Sequence, residues 1–192
     1  MPLIYFIRHG QTDWNAQLRL QGQRDIPLND TGRGQAARNG RRLGEIIAQP
    51  AAFEFVASPL SRTRETMEIV RREMGLEEQE FRMDPILKEI NYGDWEGFTM
   101  AELEAKDPDA VKSRSADKWN SNVHGGESYA MLSERARNWF QSVDRDSVIV
   151  SHGAFSRCLR GHILGLGQTE TIDLDVPQDR FFSIEQGRID WH

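Results

Sequence analysis

Three short apolar runs punctuate the chain, and each leads into a polar cluster followed by a helical pattern. Residues 3–7 run into Arg8-His9-Gly10, residues 53–57 into Ser58-Pro59-Leu60-Ser61-Arg62, and residues 147–150 into Ser151-His152-Gly153. Predominantly apolar runs of this length read as parallel strands buried on both faces. Between them the apolar spacing changes to that of helices. Asp30 or Thr31 is placed to cap a helix carrying Ala36, Gly40, Leu43 and Ile47, and a second stripe runs through Thr63, Met67, Val70 and Met74 before Gly75. Thr99 with Glu102 predicts a capping box on a short helix that Asp107-Pro108 interrupts. Ser128 opens a longer helix through Leu132, Ala136, Phe140 and Val143, and residues 154–164 form the helix behind the third strand, closed by Gly165. The tail, residues 181–185 and 188–191 about Gln186-Gly187, reads as a hairpin.

Strands alternating with helices predict an α/β protein, a three-layer α/β/α sandwich with a mostly parallel sheet. Ligands of such sheets bind outside the carboxyl ends of the strands. His9, Arg62 and His152 are thereby expected at one edge, although far apart in sequence. The stretch from about 91 to 128 is too long for a plain connection and holds only weak helices, so it is read as a short lid over that edge. With 192 residues, the chain is expected to form a single domain over 1–192 with this excursion.

Charge narrows the function classes. The net charge of −6 disfavours general binding to nucleic acid or anionic membranes. No apolar run approaches the ~18 residues of a membrane span, and the first residues do not read as a secretory signal. A soluble cytoplasmic protein is the expectation. One cysteine, Cys158, excludes an intramolecular disulfide framework. The cations are 20 Arg against 4 Lys. Biased base composition would produce the same imbalance, but Arg is also the side chain suited to phosphate and carboxylate.

The stretch Phe6-Ile7-Arg8-His9-Gly10-Gln11-Thr12-Asp13-Trp14-Asn15 carries the most chemistry. A lone histidine at a strand end usually packs. Here it is flanked by Arg and by a Gly that lets a ligand approach the backbone. The run resembles the R-H-G-x-T signature of the histidine phosphatase superfamily, the phosphoglycerate mutase-like fold. Its companions follow in order. Pro27-Leu28-Asn29-Asp30-Thr31-Gly32 with Gln35-Ala36 is similar to the family's helix entry, and Ser58-Pro59-Leu60-Ser61-Arg62 to its S-P-L-x-R element. Glu89-Ile90-Asn91-Tyr92-Gly93-Asp94-Trp95-Glu96-Gly97 resembles the E-x-x-x-G-x-W-E-G loop, Gly125-Gly126-Glu127-Ser128 the G-E-S helix start, and Ser151-His152-Gly153 the closing S-H-G.

The resemblance implies that His9 becomes phosphorylated and that Glu89 gives a proton to the leaving oxygen, then takes one from water. Arg8, Arg62 and a protonated His152 are the expected clamp on the phosphoryl oxygens. Asn15, Gln21, Gly22 and Gly153 match positions that contact phosphate or substrate. Glu96 is the competing carboxylate to Glu89. Arg64 reads as an ion-paired helix residue, His162 as packed, His124 as an exposed loop residue, and Trp119 as the one tryptophan placed to line the pocket. No cofactor and no metal are expected. A metallohydrolase built on His9 and His152 is the chemical rival, yet two Arg at the same edge repel a divalent cation, and no H-E-x-x-H spacing occurs. The expected partner is a small phosphorylated metabolite; the oligomeric state is left open. Within the family, the short lid favours a phosphatase over a cofactor-dependent mutase, and the intact His9, Arg62, Glu89 and His152 weigh against a non-catalytic phosphoryl sensor.

Overall fold

The computed structural model describes residues 2–192. The predicted runs become β1 (Ile4–Arg8), β2 (Glu54–Ala57) and β4 (Ser147–Ser151), and the tail hairpin becomes β5 (Phe182–Glu185) and β6 (Arg188–Trp191). A two-residue strand that the pattern does not predict, β3 (Arg82–Met83), adds an edge. The six strands lie in the order β3-β2-β4-β1-β5-β6, with the first four parallel and the hairpin joining antiparallel to β1.

Eight α-helices occur among the described residues: α1 (Asp13–Ala16), α2 (Asp30–Ile46), α3 (Ser61–Glu73), α4 (Met100–Lys106), α5 (Pro108–Ala116), α6 (Tyr129–Ser142), α7 (Gly153–Leu164) and α8 (Gln168–Asp173). Side chains alternate across each strand. Tyr5 and Ile7 pack with Leu43 of α2 and Met67 and Val70 of α3, whereas Ile4 and Phe6 pack with α6, α7 and α8 through residues such as Leu132, Phe155 and Ile172. Two apolar cores on opposite faces make the three predicted layers.

The ends of the helices differ in detail from expectation. Asn29, rather than Asp30 or Thr31, caps α2, its side chain accepting from the Gly32 N–H at 3.0 Å. Three adjacent residues can all cap, and tertiary contacts decide among them. Thr99 and Glu102 form the expected capping box, and Asp107 ends α4 and caps α5. On α6 the core face is Leu132, Ala136 and Trp139, while Phe140 and Val143 are only half-buried, because the stripe turns by a step of three at Trp139.

The excursion between β3 and α6 is closed at its base. Asn91 and Glu127 exchange hydrogen bonds, the Glu127 N–H donating to the Asn91 carbonyl at 2.7 Å and the Asn91 N–H to the Glu127 carboxylate at 2.9 Å. Gly93 has φ +52°, and a Cβ there would lie 2.2 Å from the His124 carbonyl oxygen. A Cβ on Gly126 would meet the Asn91 carbonyl at 2.7 Å. Only glycine permits this backbone clasp.

Candidate active site

The carboxyl ends of β1 and β4 bring His9 and His152 together. The ladder continues past the strands, with the His9 N–H donating to the Ser151 carbonyl at 3.0 Å, and the two imidazoles meet edge to face with centroids 5.2 Å apart. The His9 Nδ1 lies 2.7 Å from the Gly10 carbonyl oxygen. A carbonyl only accepts, so Nδ1 carries the proton and Nε2 keeps its lone pair. The Arg62 Nε donates to that Nε2 at 3.3 Å.

Arg62 enters from the first turn of α3 and is wholly buried. Its remaining nitrogens donate to the carbonyls of Arg24 (2.7 Å) and Gly22 (2.8 Å). Arg8 reaches the same cavity and donates to the Val176 carbonyl, while its buried Nε has no partner. Neither guanidinium forms an ion pair among the described residues. Burial lowers both to about 10, with the Glu89 carboxylate opposing the shift, and both remain cationic at neutral pH.

Glu89 faces them across a cavity of about 140 Å3. It sits at the N-terminus of α7, accepting from the Ala154 N–H at 3.1 and 3.2 Å and from that of Phe155 at 3.3 Å. Glu96 is occupied elsewhere. One of its oxygens accepts from the N–H groups of Gln23 (2.7 Å) and Tyr92 (3.2 Å), the other pairs with Arg24 at 3.4 Å, and it does not line the cavity. It braces the loop that carries Gln21 and Gly22. Gly22 has φ +52°, and a Cβ there would stand 2.0 Å from the Glu96 carboxylate.

Arg8, His9, Asn15, Gln21, Gly22, Arg62, Glu89 and Gly153 all line this cavity, and the buried Gln21 Oε1 has no hydrogen-bond partner. His152 does not line it. The ring lies behind His9, fully buried, its Nε2 sharing a hydrogen bond of 2.8 Å with Ser58 Oγ. The proton expected on His152 is not favoured in the free protein. Burial first, then Arg62, His9 and Arg8, hold its pKa well below 6.5, so the ring is neutral in the free protein. Burial and the same two arginines do likewise to His9.

Several peripheral expectations change. Trp119 stacks on Tyr129 and lies outside the cavity. Arg64 is exposed, with no ion pair among the described residues, and His162 is exposed with its edge against Phe140. His124 is an exposed loop residue as expected, 3.1 Å from Asp94. Tyr92 and Arg157 line the cavity and were not among the expected contacts. The signals for them were the Gly93 turn after Tyr92, and the four-residue step that puts Arg157 one turn beyond Gly153 on the same helix face.

An imidazole whose Nε2 lone pair meets the buried Arg62 guanidinium, in a cavity that the unpaired Arg8 also lines at the carboxyl edge of an α/β sandwich, is suited to phosphoryl oxygens. The chain belongs to the histidine phosphatase superfamily (branch 1), whose description matches residues 4–191. It is 33% identical over 180 residues to the probable phosphoglycerate mutase GpmB of Photorhabdus laumondii, covering 86% of this chain and 76% of that protein. It is also 33% identical over 176 residues to the glucosyl-3-phosphoglycerate phosphatase of Mycolicibacterium vanbaalenii, covering 85% and 74%. The solved structure of a mycobacterial glucosyl-3-phosphoglycerate phosphatase with VO3 superposes with a TM-score of 0.81 at 29% identity, covering 100% of this chain and 96% of that one.

The two depressed histidines predict how stability responds to acid. Well above pH 6.5 both rings are neutral whether the chain is folded or unfolded. Below it the unfolded rings take up protons that the folded ones refuse, so stability falls by up to about 1.4 kcal/mol per pH unit for each ring, until the lowered folded values are reached. Urea unfolding between pH 7 and pH 5 should show this loss, and His152→Asn should reduce the slope. A flat profile would contradict the assignment.

Proposed function

We propose that the protein hydrolyses a small phosphomonoester through a phosphohistidine on His9. The observation that carries this reading is the His9 Nε2 lone pair held beside Arg62, with Arg8 and Glu89 lining the same cavity. Nε2 attacks phosphorus as the bond to the alcohol oxygen breaks, and Glu89 supplies the proton that the departing oxygen takes. Arg8 and Arg62 neutralise the charge spread over the phosphoryl oxygens. Asn15, Gln21, Gly22 and Gly153 complete the cradle. His152 holds His9 in place, and gains a proton only when a phosphate dianion offsets the arginines. Glu89 then takes a proton from water, whose oxygen attacks phosphorus, releasing inorganic phosphate and restoring His9.

Relatives named as phosphatases and as mutases both occur, so the fate of the phosphoryl group is the choice to test. A brief excursion leaves the phosphohistidine open to water, which favours hydrolysis. We read the chain as one working unit, with residues 91–128 forming the substrate side. No helix among the described residues is long and apolar enough to cross a membrane. A single buried cysteine, with no disulfide to maintain, agrees with a cytoplasmic setting.

A phosphate-release screen over phosphorylated metabolites tests the reading, run before and after dialysis against a strong chelator. Release should persist after dialysis. Loss of activity that a divalent ion restores would return the metal-dependent alternative. With 3-phosphoglycerate and catalytic 2,3-bisphosphoglycerate, isomer exchange running many times faster than phosphate release would establish a mutase instead.

A further inference from the structure

Beside the catalytic cavity lies a chamber of about 300 Å3, and the two share Leu20, Tyr92 and Arg157 in their walls. Trp95 and Tyr129 add aromatic surface, and Arg114 and Lys118 reach the same chamber. No acidic residue lines it. Arg114, Lys118 and Arg157 form no ion pair among the described residues.

The three cations are only partly satisfied. The Arg157 Nε donates to the Leu174 carbonyl at 2.7 Å and its Nη1 to the Tyr129 hydroxyl at 3.4 Å. The Arg114 Nη1 donates to the Ser121 carbonyl at 2.6 Å, its guanidinium lies 5.7 Å from the Trp95 ring centroid, and its buried Nη2 has no partner. The Lys118 Nζ stands 5.8 Å from the Tyr129 ring. Burial, then repulsion from Arg157 and Arg114, lowers the Lys118 pKa. Three like charges around one aromatic-walled hollow disfavour each other, and an anion among them reverses the sign of that energy.

We propose that this chamber holds the alcohol portion of the substrate, and that this portion carries a second oxyanion, a carboxylate or a further phosphate, held by Arg157, Lys118 and Arg114. The inference rests on the phosphatase reading of the adjoining cavity. At about 30 Å3 per water-sized volume, the chamber admits a group of about ten non-hydrogen atoms, such as a substituted ring or a short chain, packed against Tyr92, Trp95 and Tyr129.

Three esters of similar size separate the possibilities: 4-carboxyphenyl phosphate, 1,4-phenylene bisphosphate and the uncharged 4-carbamoylphenyl phosphate. The better of the two anionic esters should exceed the carbamoyl ester about 10- to 100-fold in kcat/KM, the range of a charge-assisted hydrogen bond. Which anion gains more, after a statistical factor of two for the bisphosphate, tells carboxylate from phosphate. Lys118→Gln and Arg157→Gln should each cut the preference severalfold. Dissociation constants for His9→Ala, measured by calorimetry, should rank the esters in the same order. Equal kcat/KM and equal binding for charged and uncharged esters would overturn the inference and leave hydrolysis standing. The predicted binding order with no phosphate release from any ester would support the chamber and sink the phosphatase reading.

Discussion

His9→Ala should lose at least about 10³-fold in phosphate release while keeping a wild-type melting profile at neutral pH. The expectation follows from the tautomer. With Nδ1 committed to the Gly10 carbonyl, Nε2 is the one ring atom with a lone pair, and it already faces the Arg62 guanidinium that would meet a phosphoryl oxygen. Arg8 and Arg62 remain in the cavity of the variant, so it should still bind phosphate. Alkaline quenching of the wild-type enzyme during turnover should trap an acid-labile, base-stable adduct on His9. Near-normal turnover by the alanine variant would end the covalent mechanism, because no other neutral imidazole lines the cavity.

Glu89→Gln should have an effect that depends on the leaving group. An alkoxide leaves poorly without a proton, so alkyl phosphates should slow by about 10²- to 10⁴-fold. p-Nitrophenyl phosphate, whose phenolate is already stable, should suffer far less in the first step. The amide keeps an oxygen for the Ala154 and Phe155 N–H groups, so the start of α7 is preserved. Burst kinetics separates the two steps. Equal losses on both substrates would remove the acid role from Glu89. Glu96→Gln should differ in kind: its carboxylate ties Gln23, Tyr92 and Arg24 together, and its loss should loosen the loop of Gln21 and Gly22 without a leaving-group dependence.

Much of this geometry could be read before any coordinates. Strands β1, β2 and β4 are apolar apart from polar residues at their ends, and a strand buried on both faces leaves little room for another reading. Each ends in the polar cluster that reaches the candidate site, so the fold and that site's position are legible from the same residues. What escaped was non-local. β3 is two residues long, too short to show any period, and exists because it pairs with Val56 and Ala57. Arg157 looks like any helix cation until α7 is set beside β1. His152 looks like a third cation until its burial behind His9 is known, because a sequence carries no information on desolvation. Trp119 and Trp95 are equally aromatic in sequence, and only the path of the excursion decides which of them faces the chamber.

The clasp at Gly93 and Gly126 makes the excursion a closed loop whose ends are pinned by the core and by each other. Closing such a loop costs an entropy that grows only with the logarithm of its length, so doubling the chain between the two glycines would cost on the order of 0.6 kcal/mol. The penalty is small beside the several kcal/mol by which domains are stable. Strand ends and the first turn of α3 hold the His9 imidazole, Arg8 and Arg62 at fixed spacing, whatever the loop contains. Chains sharing this stem can therefore diverge in the size and charge of the alcohol they admit by lengthening, trimming or recharging one segment, while the reaction itself is inherited unchanged.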